Sequence, residues 1–194
     1  MDFVFDLLQG AGLAAAIGIR PFLPVLLAGA LASADLGLDF DGTSFAFLES
    51  WPFLLAIVLA VTALDFAARR GGEGLRLRLP IALGVLAVVL GALVAGGSVA
   101  DRDNPAVAGI VVGAACAALG YVAARSLFER VRRRLDPEAA GALPVYAEGS
   151  AVAAAGLSVL FPPLAVIVVA GLGFLMLGAR RRQGEKYAGL RILR

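Results

Sequence analysis

The chain of 194 residues is 60% hydrophobic and 16% charged, with a mean hydropathy of +0.89, far too apolar for an ordinary soluble domain of this size. It has no histidine, one cysteine and a net charge of +2. Those numbers exclude imidazole relays and triads, His metal sites, a disulfide within the chain and a nucleic-acid surface.

Residues 3–19 form the first apolar run, in which Gly10, Gly12 and Gly18 make a small-residue face that lets a neighbouring helix approach closely. The opening Met1-Asp2-Phe3-Val4-Phe5-Asp6 is acidic where a signal peptide carries a basic region, so this run is expected to be retained. It stops at Arg20-Pro21. The next run, residues 22–34, is too short to cross about 30 Å of hydrocarbon upright. It is expected as half of a broken helix or, extended to about Leu38, as a short tilted span.

Residues 35–49 carry Asp35, Asp39, Asp41 and Glu49 and no basic residue, the composition of an extracytoplasmic loop. Glu49-Ser50-Trp51-Pro52 then starts a helix over 51–68, with Ser50 as cap, Pro52 in the first turn and Trp51 at the headgroup interface. Arg69, Arg70, Arg76 and Arg78, opposed by Glu73, mark a cytoplasmic loop. Residues 79–97 form the next span and 98–104 a short outer turn.

Asn104-Pro105 repeats the cap-and-proline start for a span over 106–127. Within it Gly109 and Gly113 form a GxxxG face continued by Ala117 and Tyr121; packing inside the bundle is its plain use, and a homodimer seam is the other. Cys116 lies in an apolar helical setting and is expected to pack as a small hydrophobe. Residues 128–143 hold Arg130, Arg132, Arg133 and Arg134, a cytoplasmic loop able to attract anionic membrane lipid, with at most a short surface helix begun by Asp136-Pro137. The last two apolar segments, 144–160 and 164–178, are parted by Phe161-Pro162-Pro163.

The expected fold is therefore all-α, a polytopic transmembrane helical bundle of six or seven membrane segments with broken or re-entrant helices near Pro21/Pro24 and Pro162/Pro163. One transmembrane domain is expected over 1–182 and a basic cytoplasmic tail over 183–194. If residues 3–34 form a hairpin there are seven segments and Arg20 lies at the cytoplasmic side; if they form one kinked span there are six and Arg20 is near mid-membrane. Ala14-Ala15-Ala16-Ile17-Gly18 before the first break parallels Ala153-Ala154-Ala155-Gly156-Leu157 before the second. The two copies would run in opposite senses, as the inverted repeats of secondary transporters do, although alanine-rich composition alone also produces such a match.

Gly18-Ile19-Arg20-Pro21-Phe22-Leu23-Pro24, Ser50-Trp51-Pro52-Phe53, Tyr146-Ala147-Glu148 and Lys186-Tyr187-Ala188-Gly189-Leu190-Arg191 give the chain a resemblance to a family of small bacterial inner-membrane proteins known as a domain of unknown function. That resemblance implies a multi-pass protein of the bacterial cytoplasmic membrane and no particular activity. Gly18-x-Arg20-x-Phe22-x-Pro24, followed by Ala28-Gly29, also resembles the arginine-bearing re-entrant segment of DedA-type proteins. This second resemblance implies movement of phosphate-headed lipid carriers. It departs from that family in the proline after the arginine, in one extra residue before Ala28, and in lacking the acidic, glycine-containing partner motif.

An arginine beside free backbone donors at a helix break is a natural site for phosphate or carboxylate, and equally a membrane anchor or a structural partner for a carboxylate. Glu148 opens an apolar run without a nearby base, so it is expected to pair with Arg20 or to carry a coupling proton. Asp65, four residues before Arg69, suits a helical ion pair and also falls at the level of Arg20 under the hairpin topology. Tyr146 adds a candidate polar contact. The expected function is a small transporter or lipid translocase for an anionic or amphipathic substrate bound by Arg20, Glu148, Asp65 and Tyr146, with no catalytic residue, metal or cofactor. The alternative is a non-transporting structural or assembly protein that packs through its glycine-rich helices.

Overall fold

A computed structural model of the chain describes residues 2–70, 72–100 and 105–188. Seven α-helices lie among the described residues: α1 (Asp2–Ile19), α2 (Phe22–Ala32), α3 (Trp51–Arg70), α4 (Glu73–Ala100), α5 (Ala106–Arg132), α6 (Pro137–Leu160) and α7 (Leu164–Ala188). A single 3₁₀ turn, Ala46–Leu48, interrupts the loop between α2 and α3. Arg78–Ala100, Ala106–Arg132 and Glu138–Leu160 are long and apolar enough to cross a membrane, while Phe3–Ile19, Phe22–Ala32, Trp51–Leu64 and Leu164–Gly178 are shorter apolar helices.

The organising element is α1. Every residue from Gln9 to Gly18 is buried, because α4, α5, α6 and α7 surround the helix. Its small side chains make that possible. A Cβ at Gly10 would meet the backbone of Ala95 on α4, and one at Gly18 would collide with the carbonyl oxygen of Ala117 on α5. Gly91 and Gly84 of α4 in turn face Ala14 and the ring of Tyr121. In hydrocarbon such seams are held by close van der Waals contact, since lipid offers apolar side chains as good an environment as protein does.

These contacts also give the directions: α1 starts beside the end of α4 and finishes beside its beginning, so the two are antiparallel, whereas α1 and α5 run in the same sense. The start of α2 follows Arg20 at one end, and its far end returns to the start of α1. Gln9, buried on α1, donates its amide to the Gly37 carbonyl just after α2. Residues 3–34 are thus a hairpin of two helices and not one kinked span. Arg78, Arg125, Arg130, Arg132, Arg133 and Arg134 gather toward the end where α1 finishes, the basic end; Asp35, Asp39, Asp41 and Glu49 lie at the opposite, acidic end.

Several local expectations are corrected. α6 begins at Pro137 and runs through Pro144 without a break, so the short surface helix and the last-but-one span are one element. A proline at the eighth residue of a helix forgoes one backbone hydrogen bond, a loss that the solvent-exposed Pro144 position tolerates. Likewise α4 runs through Pro80 from Glu73. Pro24 lies in the first turn of α2, beyond the break itself. Ser98 is a buried residue of α4 whose hydroxyl donates to the Asp6 carbonyl, not part of an outer turn. Residues 101–104, expected in that turn and its cap, lie outside the described residues. The Ser50 hydroxyl donates backward to the Phe47 carbonyl, so it closes the preceding turn and does not cap α3.

Gly109 and Gly113 are buried against Ala95 and Gly91 of α4. The face named as a homodimer seam is taken within the chain by α4. The basic segment Arg180-Arg181-Arg182 continues α7 to Ala188, and 189–194 lie outside the described residues.

Candidate functional site

Arg20 owes its position to the proline that follows. Pro21 has no N–H to offer the α1 ladder, so the helix ends with the Arg20 N–H on the Ala16 carbonyl, 3.1 Å away, and the chain reverses into α2. Gly18, two residues earlier, lets α1 lie directly on α5. The guanidinium is thereby delivered between α1, α5 and α6 at the basic end.

There it meets Glu148 of α6. Arg20 Nε lies 3.5 Å from Glu148 Oε1, and the two side chains are 35% and 31% exposed. This is the long-range pair that the missing local base around Glu148 predicts. The pair is only partly satisfied: Oε2 of Glu148 is buried and takes no hydrogen bond from the described residues, and no described acceptor bonds the terminal nitrogens of Arg20.

Two recesses adjoin the arginine. The larger, about 340 Å³, is bounded by Arg20, Arg125, Phe128, Arg132, Leu143 and Pro144; the smaller, about 140 Å³, lies between Ile19, Arg20, Pro21, Leu83, Tyr121 and Phe128. Their walls combine three guanidinium groups, and in the larger recess the Glu129 carboxylate, with apolar side chains. Such lining suits an amphiphile with an anionic head, since arginine offers carboxylate or phosphate a planar fork of donors.

Tyr121 and Arg125 were not singled out as site residues by sequence spacing. Tyr121 spans from α5 to the Pro80 carbonyl of α4, and Arg125 Nη1 donates to the Tyr121 hydroxyl at 3.2 Å. Arg125 also bonds Glu129, four residues on, at 2.9 Å, and it borders both recesses. A signal was present: Gly109, Gly113, Ala117, Tyr121, Arg125 and Glu129 recur every fourth residue, so the small-residue stripe passes into polar groups on the same face.

Of the other two predicted residues, only Tyr146 has a described side chain, and it is not brought to Arg20. Tyr146 is 72% exposed on α6 and borders neither recess. Asp65 belongs to α3, and its side chain, with that of Arg69, lies outside the described residues.

At the acidic end, folding gathers carboxylate oxygens of Asp39, Asp41 and Glu49 within 4.8 Å of one another, a grouping that local spacing does not announce. Backbone N–H groups of Asp41 and Phe40 donate to Asp39 and Glu49, so the loop supplies its own compensation. Burial, and then the hydrogen bond with Asp41, pushes the Glu49 carboxyl above its ordinary value.

Seven helices, with three long and apolar enough to cross a membrane, place the chain among multi-pass all-α proteins. Residues 7–182 match the family described as Domain of unknown function (DUF4126), and the chain belongs to that family. No curated protein and no solved structure matches it.

Proposed function

We propose that this protein is a transporter or lipid translocase of the bacterial cytoplasmic membrane, with its C-terminus in the cytoplasm and its substrate site at the α1–α2 break. The observation that carries this reading is the partly exposed Arg20–Glu148 pair, set at a helix break with Arg20 bordering recesses that mix arginine and Glu129 with apolar side chains. Charged groups within a membrane segment are costly and favour a bundle interior or water-filled cavity. A pair that leaves donors of Arg20 available holds the guanidinium in place while an anionic head binds beside it. Glu148 competes for the same donors, so its protonation would release them and couple binding to a proton.

Three further features support the same reading. The basic end is the cytoplasmic one by charge, the α1–α2 and α6–α7 breaks lie at opposite ends as an inverted repeat requires, and the Arg20 segment resembles that of DedA-type proteins. Asp65 would approach the same end from α3, and Tyr146 would meet the lipid-facing part of an amphiphile.

The test is transbilayer movement of a fluorescent phosphatidylglycerol in proteoliposomes, followed by dithionite quenching. Wild-type protein should accelerate it over empty vesicles, Arg20→Ala should remove most of the gain, and Glu148→Gln should abolish its dependence on a pH gradient. Equal rates for wild type and both variants would assign Arg20 to anchoring and favour a structural or assembly protein.

A further inference from the structure

A second basic recess lies on the other face of α5. Leu127, Arg130, Val131 and Arg134 of α5 and its following turn stand opposite Phe174 and Gly178 of α7, enclosing about 300 Å³. Residues 125, 128, 129 and 132 face Arg20, so at 100° per residue this group points the opposite way. It is independent of the proposed translocation site.

The walls of the recess are almost wholly apolar, and Phe174 is 77% exposed. Among the described residues its polar groups are two arginines, Arg130 and Arg134, at the basic end. Arg130 Nε is bonded to the Ser126 carbonyl at 2.9 Å, which fixes the guanidinium while leaving its terminal nitrogens without a described partner. Arg134 is exposed and likewise has no described acceptor. At Gly178 an added Cβ would meet nothing within 4 Å, so the glycine leaves open space in the α7 wall.

We propose that this recess holds one anionic phospholipid, with its phosphate on Arg130 and Arg134 and an acyl chain between Leu127, Val131 and Phe174 beside Gly178. Charge complementarity selects this occupant. Two cations over an apolar crevice, at the level where a helix leaves the membrane, match a lipid with net negative charge and give a zwitterionic lipid no comparable advantage. Among the described residues no carboxylate borders the recess to neutralise the arginines. The lipid would join α5 to α7 at their basic ends, as a resident component and not as the transported species.

The experiment is native mass spectrometry of the full chain released from detergent with phosphatidylglycerol or phosphatidylcholine added, scoring singly bound lipid. Wild type should retain phosphatidylglycerol in preference to phosphatidylcholine. Arg134→Gln should reduce retention roughly fivefold, and Arg130→Gln/Arg134→Gln further. Arg133→Gln removes the same charge outside the recess and should change little. Gly178→Phe should fill the open space and displace the lipid without removing charge. Equal retention of the two lipids, equal loss in Arg133→Gln and Arg134→Gln, or undiminished binding in Gly178→Phe would overturn the proposal.

Discussion

The chain breaks its helices with proline at two places, and the two breaks share local grammar but differ in surroundings. At Arg20-Pro21 a cation is held against Glu148 from another helix, with recesses on its flank and a buried glycine two residues before it. At Phe161-Pro162-Pro163 the turn is closed by its own backbone: the Phe161, Leu164 and Ala165 N–H groups reach the carbonyls of Leu157, Phe161 and Pro162. Leu160 and Phe161 are 72% and 60% exposed, and no charged side chain lies within the turn. Proline by itself makes a connector. A charge brought to the break by tertiary packing makes it a candidate site.

The largest stability contrast should come from the glycines before each break. At Gly18 a Cβ would strike the Ala117 carbonyl and the Tyr121 backbone, neither of which can move freely, so Gly18→Ala should cost about 1–3 kcal/mol. Gly156 has open space where a Cβ would go, and Gly156→Ala should be neutral or stabilising by up to about 1 kcal/mol. Thermal unfolding in detergent measures both, and equal effects would erase the distinction between the breaks.

A smaller effect is expected at Tyr121. Tyr121→Phe removes the hydroxyl that joins α5 to Pro80 and supports Arg125, at a cost of about 0.5–1.5 kcal/mol. Phe161→Ala, which alters an exposed side chain at the other break, should stay within about 0.5 kcal/mol.

Below that comes the ion pair. A double-mutant cycle of Arg20→Gln and Glu148→Gln should give a coupling of about 0.2–1 kcal/mol, because both side chains are partly exposed and the pair is screened. Zero coupling would mean that Arg20 is placed by helix geometry alone.

The smallest effect belongs to the acidic end. A carboxyl whose value rises on folding stabilises the fold while protonated; that contribution is complete below the unfolded value and lost as pH rises through the folded one. Burial and Asp41 raise Glu49, so wild type should lose a little thermal stability as pH rises through and just above the carboxylate range. Glu49→Gln should flatten that slope, and an unchanged slope would assign it to other groups.

Much of the fold is written in the order of apolar runs and charged loops, because hydrocarbon leaves backbone few alternatives to helix. The Arg20 break and the polarity of Glu148 were legible for the same reason: both residues are costly where they occur. Their pairing was open to inference but not its neighbours: the four-residue spacing on α5 puts Tyr121 and Arg125 on one face, while the rotation that turns that face toward α1 is set by packing. Helix starts at Glu73 and Pro137 were obscured by Pro80 and Pro144, because a proline eight residues into a helix forgoes a backbone hydrogen bond and so reads as a break. Tyr146 stands away from the Arg20–Glu148 pair because two residues on a helix turn a side chain by about 200° from the face that Glu148 presents.

The most direct test sets the two breaks side by side in the same proteoliposomes, reading transbilayer movement of fluorescent phosphatidylglycerol for wild type, Arg20→Ala and Pro163→Ala. The account predicts that Arg20→Ala loses most of the gain over empty vesicles while Pro163→Ala retains most of the wild-type rate. Wild-type movement that survives Arg20→Ala and is lost in Pro163→Ala would place the site at the other end of the molecule and contradict it.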